Sequence, residues 1–163
     1  MKTMIFDLAS FTLIHVVISV VGVVSGLVVL GGLMAGARLA GWTALFLVTT
    51  ILTSVTGFGF PTAAVSPAQV VGGLSLVVLA ICLAARYWMK LVGRWRTTYV
   101  VTAVVATYLN VFVLVVQLFA KTPALAQLAP TQAEPPFALT QALVLALFVW
   151  LGWAAVRGFR AAR

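Results

Sequence analysis

Chemistry needs side chains that ionise, coordinate or attack, and this sequence holds few: His15 is the sole histidine, Cys82 the sole cysteine, and Asp7 and Glu134 the only acids. His15 stands inside an apolar run, where an ionisable group is costly and becomes a functional-site hypothesis by default. Such a histidine can ligate a haem or metal, relay a proton, or hydrogen-bond a quinone. A bis-histidine haem would need its second ligand from a partner or a symmetry mate, and no His-Glu-x-x-His or comparable spacing occurs. The reading we favour is an interfacial histidine bonded to a neighbouring helix. No cofactor is expected, with a haem or quinone at His15 the open alternative.

Hydroxyls and carboxamides make up the rest of the inventory. Thr49, Thr50, Thr53, Ser54 and Thr56 put five hydroxyls into eight residues. Each can bond back to a carbonyl of the preceding turn, so each is cheap alone. On a helix Thr49, Thr53 and Thr56 share one face, with Thr50, Ser54 and Gly57 beside it. Asn110 and Gln117 are two turns apart and face the same way, and Gln141 lies one turn into a later apolar run. His15, Thr53, Ser54, Thr56, Asn110, Gln117 and Gln141 all fall in the outer half of their runs under the topology argued below. A shallow, outward-facing polar cluster is the expectation, read either as interhelical hydrogen bonding or as a site for a proton, quinone or small solute.

Enzyme signatures are missing. There is no G-x-S-x-G elbow, no P-loop, no G-x-G-x-x-G after a strand and no pair of intramembrane carboxylates. Asp7 is expected to cap the first helix. Cys82 permits neither an intrachain disulfide nor a thiolate metal cluster. The expected protein is not an enzyme.

The elements that position these groups follow from composition. Of 163 residues, 64% are hydrophobic and 7% charged, whereas a soluble domain carries about a quarter charged residues. Lipid must therefore face most of this surface. The net charge of +8 comes from cations scattered at the ends of apolar runs, without the basic, aromatic-interleaved patches of nucleic-acid binders. Five runs approach the ~20 residues a spanning helix needs: 11–34, 43–60, 69–87, 98–119 and 137–156. The backbone must be satisfied within each, so the fold class is an all-α bundle in one transmembrane domain, residues 1–163. The first run is too long for a signal-peptide core, ~7–15 residues, and reads as a retained span.

Charge orients the bundle. Arg38, Arg86, Lys90, Arg94, Arg96, Arg157, Arg160 and Arg163 fall on one side, against Lys2 and Lys121 on the other. The positive-inside rule makes the first side cytoplasmic, with the N-terminus outside and the C-terminus inside. All five tryptophans cluster at the cytoplasmic ends and all six prolines at the external loops, 61–68 and 120–136. Within the second loop, Thr122-Pro123 opens a short surface helix, Pro130 ends it, and the last span starts at Pro135-Pro136. That loop is expected to form a stiff lid over the outer polar residues.

Two small-residue stripes, Ser19/Gly22/Gly26 and Gly32/Gly36, allow close helix approach. Packing against the chain's own neighbours is favoured over a homo-oligomer interface. Lys90, Arg94 and Arg96, with nearby aromatics, read foremost as an orientation signal, with contact to anionic lipid headgroups the second reading. The expected location is a bacterial inner (cytoplasmic) membrane. The expected role is an accessory, assembly or self-associating component whose partners are the bilayer, other membrane proteins or itself, and not nucleic acid.

Overall fold

The structure, a computed structural model, describes residues 8–61 and 64–161, the last two by backbone alone. Asp7, Lys2 and Arg163 lie outside the described residues. Among those described, the fold is all-helical: α1 (Leu8–Met34), α2 (Ala40–Gly57), α3 (Pro67–Leu83), α4 (Arg94–Lys121), α5 (Pro123–Leu128) and α6 (Pro135–Ala161). Five of them, all but α5, are long and apolar enough to cross a membrane.

Local chemistry sets the ends of these helices. α1 stops at a Schellman motif: Ala37 N–H donates to the Gly32 carbonyl at 2.8 Å and Gly36 N–H to Leu33 at 3.1 Å. Gly36 takes φ of +72° to make this turn, a conformation glycine adopts without steric cost. Gly36 is thus a helix stop and not a packing residue. α2 sits three residues earlier than the apolar run 43–60 implies, and Phe58–Phe60 fold back beyond its end. α3 opens two residues early, because Ser66 and Gln69 form a reciprocal capping box with Pro67 at the first position, where its missing N–H costs nothing. α6 begins at Pro135 for the same reason.

α4 is the hub and packs on α1, α3, α5 and α6, while α1 also meets α2 and α6, and α2 meets α3. Its inward face carries Tyr99, Val100, Ala103, Ala106 and Thr107, all at most 1% exposed. The apolar four of these, with Leu30, Leu33, Phe46, Leu79, Phe148 and Ala155, belong to the main core. A smaller core of Val115, Phe119 and Ala129 closes the far end. Arg38, Arg86, Lys90, Arg94, Arg96 and Arg157 mark one end of the bundle, here called the basic end; the opposite one is the proline end. All five tryptophans are exposed, as suits indoles at a membrane interface.

Candidate functional site

The polar residues sit mainly on the seam of α1, α2 and α4. α1 and α2 run antiparallel: Phe11 stacks on Phe60, His15 meets Thr56, and Gly22 and Gly26 meet Thr49 and Phe46. The glycines let these helices close. A Cβ on Gly22 would stand 3.4 Å from Asn110 Nδ2, Thr49 Oγ1 and Thr50 Oγ1, and one on Gly26 only 2.9 Å from Thr107. A Cβ on Gly32 would overlap Leu39 at 2.6 Å. The stripe therefore packs inside the chain. Ser19 adds no interhelical bond and donates to the His15 carbonyl at 2.7 Å.

At the proline end, His15 Nδ1 lies 2.7 Å from Thr56 Oγ1. That hydroxyl already donates to the Leu52 carbonyl at 2.7 Å, so its single hydrogen is committed. With its hydrogen so placed, it accepts from the ring Nδ1–H. Phe60 holds the imidazole edge-on at 5.0 Å. The second pair lies two turns deeper. Asn110 Nδ2 donates to Thr50 Oγ1 at 3.1 Å, and Thr50 is fully buried. Asn110 falls near the middle of α4, and Gly22 and Thr50 near the middles of their helices, so this bond sits at mid-depth and not in the outer half. α4 begins at Arg94, four residues before the apolar run, and that moves its centre toward Asn110.

The expected single cluster does not form. Gln117 is exposed although periodicity aligns it with Asn110, because no neighbouring helix covers that face two turns further out. Ser54 is buried toward α3, where a Cβ on Gly72 would come within 3.5 Å of its carbonyl oxygen. Gln141 lies on the α4–α6 seam and donates to the Phe112 carbonyl at 3.2 Å. Thr53 Oγ1 and Gln141 Oε1 are buried without a hydrogen-bond partner.

The 120–136 loop is well anchored, but to α4 and α6. Gln132 Nε2 donates to the Val116 carbonyl at 3.1 Å, Ala129 is buried against Val115 and Phe119, and Phe119 meets Phe137 edge-on at 5.3 Å. Glu134 accepts from Thr131 Oγ1 at 2.8 Å and from the Thr131 and Ala133 N–H groups. Slight desolvation raises its pKa, but these hydrogen bonds outweigh it and hold the carboxyl below its ordinary value. The loop closes the α4–α6 end and makes no lid over His15.

The basic end holds an arrangement that sequence reasoning missed. α3 runs into a π-helical turn, Ala84–Trp88, closed by Met89 N–H on the Ala84 carbonyl at 2.9 Å. Such turns are rare and re-aim side chains. This one turns Arg86 inward, where Nη1 donates to the buried Tyr99 hydroxyl at 3.0 Å and the guanidinium lies 5.2 Å over the Tyr99 ring. Tyr99 in turn lies 3.4 Å from Thr43 Oγ1, linking α2, α3 and α4. Of the expected headgroup contacts, Lys90 and Arg94 are exposed, whereas Arg96 is half-buried 5.9 Å above Phe159.

Among the described residues no three His, Cys, Asp or Glu come together. The chain matches no family model, no curated protein and no solved structure.

Proposed function

We propose that this chain is a non-catalytic, multi-pass component of a bacterial inner membrane, with its N-terminus outside and its C-terminus cytoplasmic. It acts by lateral association with other membrane proteins or with itself. The observation that carries this reading is the bond from Asn110 to Thr50 over Gly22. A solute path would need space at mid-depth, and there α1 closes on α2 and α4 at Gly22 while the polar groups of α2 and α4 bond to each other. In lipid such bonds fix helix partners, at roughly 0.6 kcal/mol each and up to ~1.7. The cation asymmetry supports the orientation.

The test is purification from native membranes in mild detergent with quantitative mass spectrometry, alongside flux measurements in liposomes under proton and sodium gradients. A stoichiometric protein partner or a defined homo-oligomer, with no flux, is the expected result. Flux that disappears in Asn110→Ala would overturn the proposal.

A second reading, a small transport or ligand-binding protein for a proton, quinone or small solute, rests on Thr53 Oγ1. This hydroxyl is buried without a partner about one turn from the His15–Thr56 pair. His15→Ala would then alter ligand retention or pH-dependent flux, whereas the component reading expects no change in either.

A further inference from the structure

α4 and α6 pack together from Phe119–Phe137 to Tyr99–Phe159, and an apolar groove of about 530 Å³ runs along their contact, within the ~300–1,000 Å³ of small-ligand sites. Tyr108 stands at its deep end, held between Phe112 and Phe148. Trp153 and Arg157 line its other end, at the basic face. From Leu145 to Arg157 the groove follows α6 for about 18 Å at ~1.5 Å rise per residue. The hydrocarbon core is ~30 Å thick, so this is close to the depth of one leaflet. The groove thus has the length and the polarity of one acyl chain entering from the basic side.

Its mouth is built for an anion. The Arg157 guanidinium lies 4.0 Å from the Trp153 ring centroid, a cation–π contact that holds this exposed cation at the mouth. A flat guanidinium edge fits two phosphate oxygens at once. Among the described residues no carboxylate competes for it, because the one described acid, Glu134, is at the proline end. Arg96, above Phe159 on the same seam, adds positive charge.

We propose that the α4–α6 groove binds one anionic phospholipid from the leaflet at the basic end, with an acyl chain along the groove and the phosphate on Arg157. This goes beyond the component reading and does not depend on it.

The full chain, delipidated in detergent, is titrated with phosphatidylglycerol or phosphatidylcholine and read by native mass spectrometry. One phosphatidylglycerol should be retained in preference to phosphatidylcholine. A hydrogen bond to a charged group contributes ~1.5–3 kcal/mol, so Arg157→Gln should weaken retention about tenfold or more. Arg38→Gln, an equal loss of charge at an exposed position on the α1–α2 turn and outside the groove lining, should change it little. Val101 lines the groove yet is 45% exposed, so Val101→Phe obstructs it without crowding the core, and retention should fall with no change in net charge. Equal losses from Arg157→Gln and Arg38→Gln would reduce the effect to diffuse charge and overturn the site. Unchanged retention in Val101→Phe, or equal binding of both lipids, would do the same.

Discussion

Gly158 is where the first and last spanning helices come closest. A Cβ added there would overlap the Met34 carbonyl oxygen and stand 2.6 Å from its carbon and 3.0 Å from its Cα. These are backbone atoms, so no rotamer change relieves the clash. The surrounding turn is also held, since Gly36 and Ala37 bond back to Leu33 and Gly32. Gly152, two turns earlier on α6, is the natural control: its Cβ would meet only Val104 Cγ1, at 3.3 Å. Both changes to alanine gain about 0.8–1 kcal/mol of helix propensity. Overpacking costs roughly 1–3 kcal/mol, occasionally more, and a backbone obstacle belongs at the upper end. Gly158→Ala should therefore be less stable than Gly152→Ala by roughly 2–3 kcal/mol. At ~2–4 °C per kcal/mol for a chain of this size, its thermal midpoint in detergent should lie about 5–10 °C lower. Equal midpoints for the two variants would refute the claim that α1 and α6 are locked at this glycine.

Three other predictions concern single groups. A double-mutant cycle over Asn110→Ala and Thr50→Ala, read by unfolding in mixed micelles, should give a coupling near ~0.6 kcal/mol and below ~1.7; zero coupling would mean the two side chains do not bond. Gln141→Leu removes the hydrogen bond to Phe112 together with the unpartnered Oε1. The Phe112 carbonyl lies within α4 and keeps its helical partner, so no acceptor is orphaned and the loss of one hydrogen bond is offset by removal of the unpaired oxygen; the midpoint should hold or rise, and a clear drop would reveal an unrecognised partner for Oε1. Glu134 has a folded pKa below its ordinary 4.5, so its stabilisation of the loop is complete above that value and lost as pH falls through the lower folded one. The Thr131 and Ala133 amide NMR shifts should stay constant from neutral pH to about 4.5 and move only below it; a transition at higher pH would contradict the depressed carboxyl.

Span number and fold class were legible because hydrocarbon leaves the backbone few options, and twelve charged residues in 163 can only mark the ends. The proline starts of α5 and α6 were legible for a similarly local reason. Helix limits were harder, since an apolar run measures what lipid covers and not where backbone hydrogen bonds stop. Arg94, Trp95 and Arg96 belong to α4 because long amphipathic side chains can stay helical while their heads reach water, and overlooking this placed Asn110 too shallow. Ser66-Pro-Ala-Gln69 carried a readable capping-box signal that run-counting passed over. Gln117 failed differently: periodicity tells which residues share a face, but only tertiary packing tells how far a neighbour covers it. The inward turn of Arg86 had no sequence signal, because a π turn inserts a residue without altering hydropathy. Gly152, Ala155 and Gly158 did form a small-residue stripe on the last span that could have been read as its docking edge.

The order in which the helices are made gives the α1–α6 lock a role in assembly. When α4 has left the ribosome, the Asn110–Thr50 bond, the Arg86–Tyr99 contact and the glycine seam of α1 already have all their partners. Those polar contacts do not wait for α6, although the apolar core does, since Phe148, Ala155 and Phe159 complete it. The last helix then arrives at a four-span platform and clasps it at Gln141 and Phe137 on one side and at Gly158 on the other. A chain cut after α5 should therefore insert and hold its polar seam, yet lack the clasp that ties its two ends together.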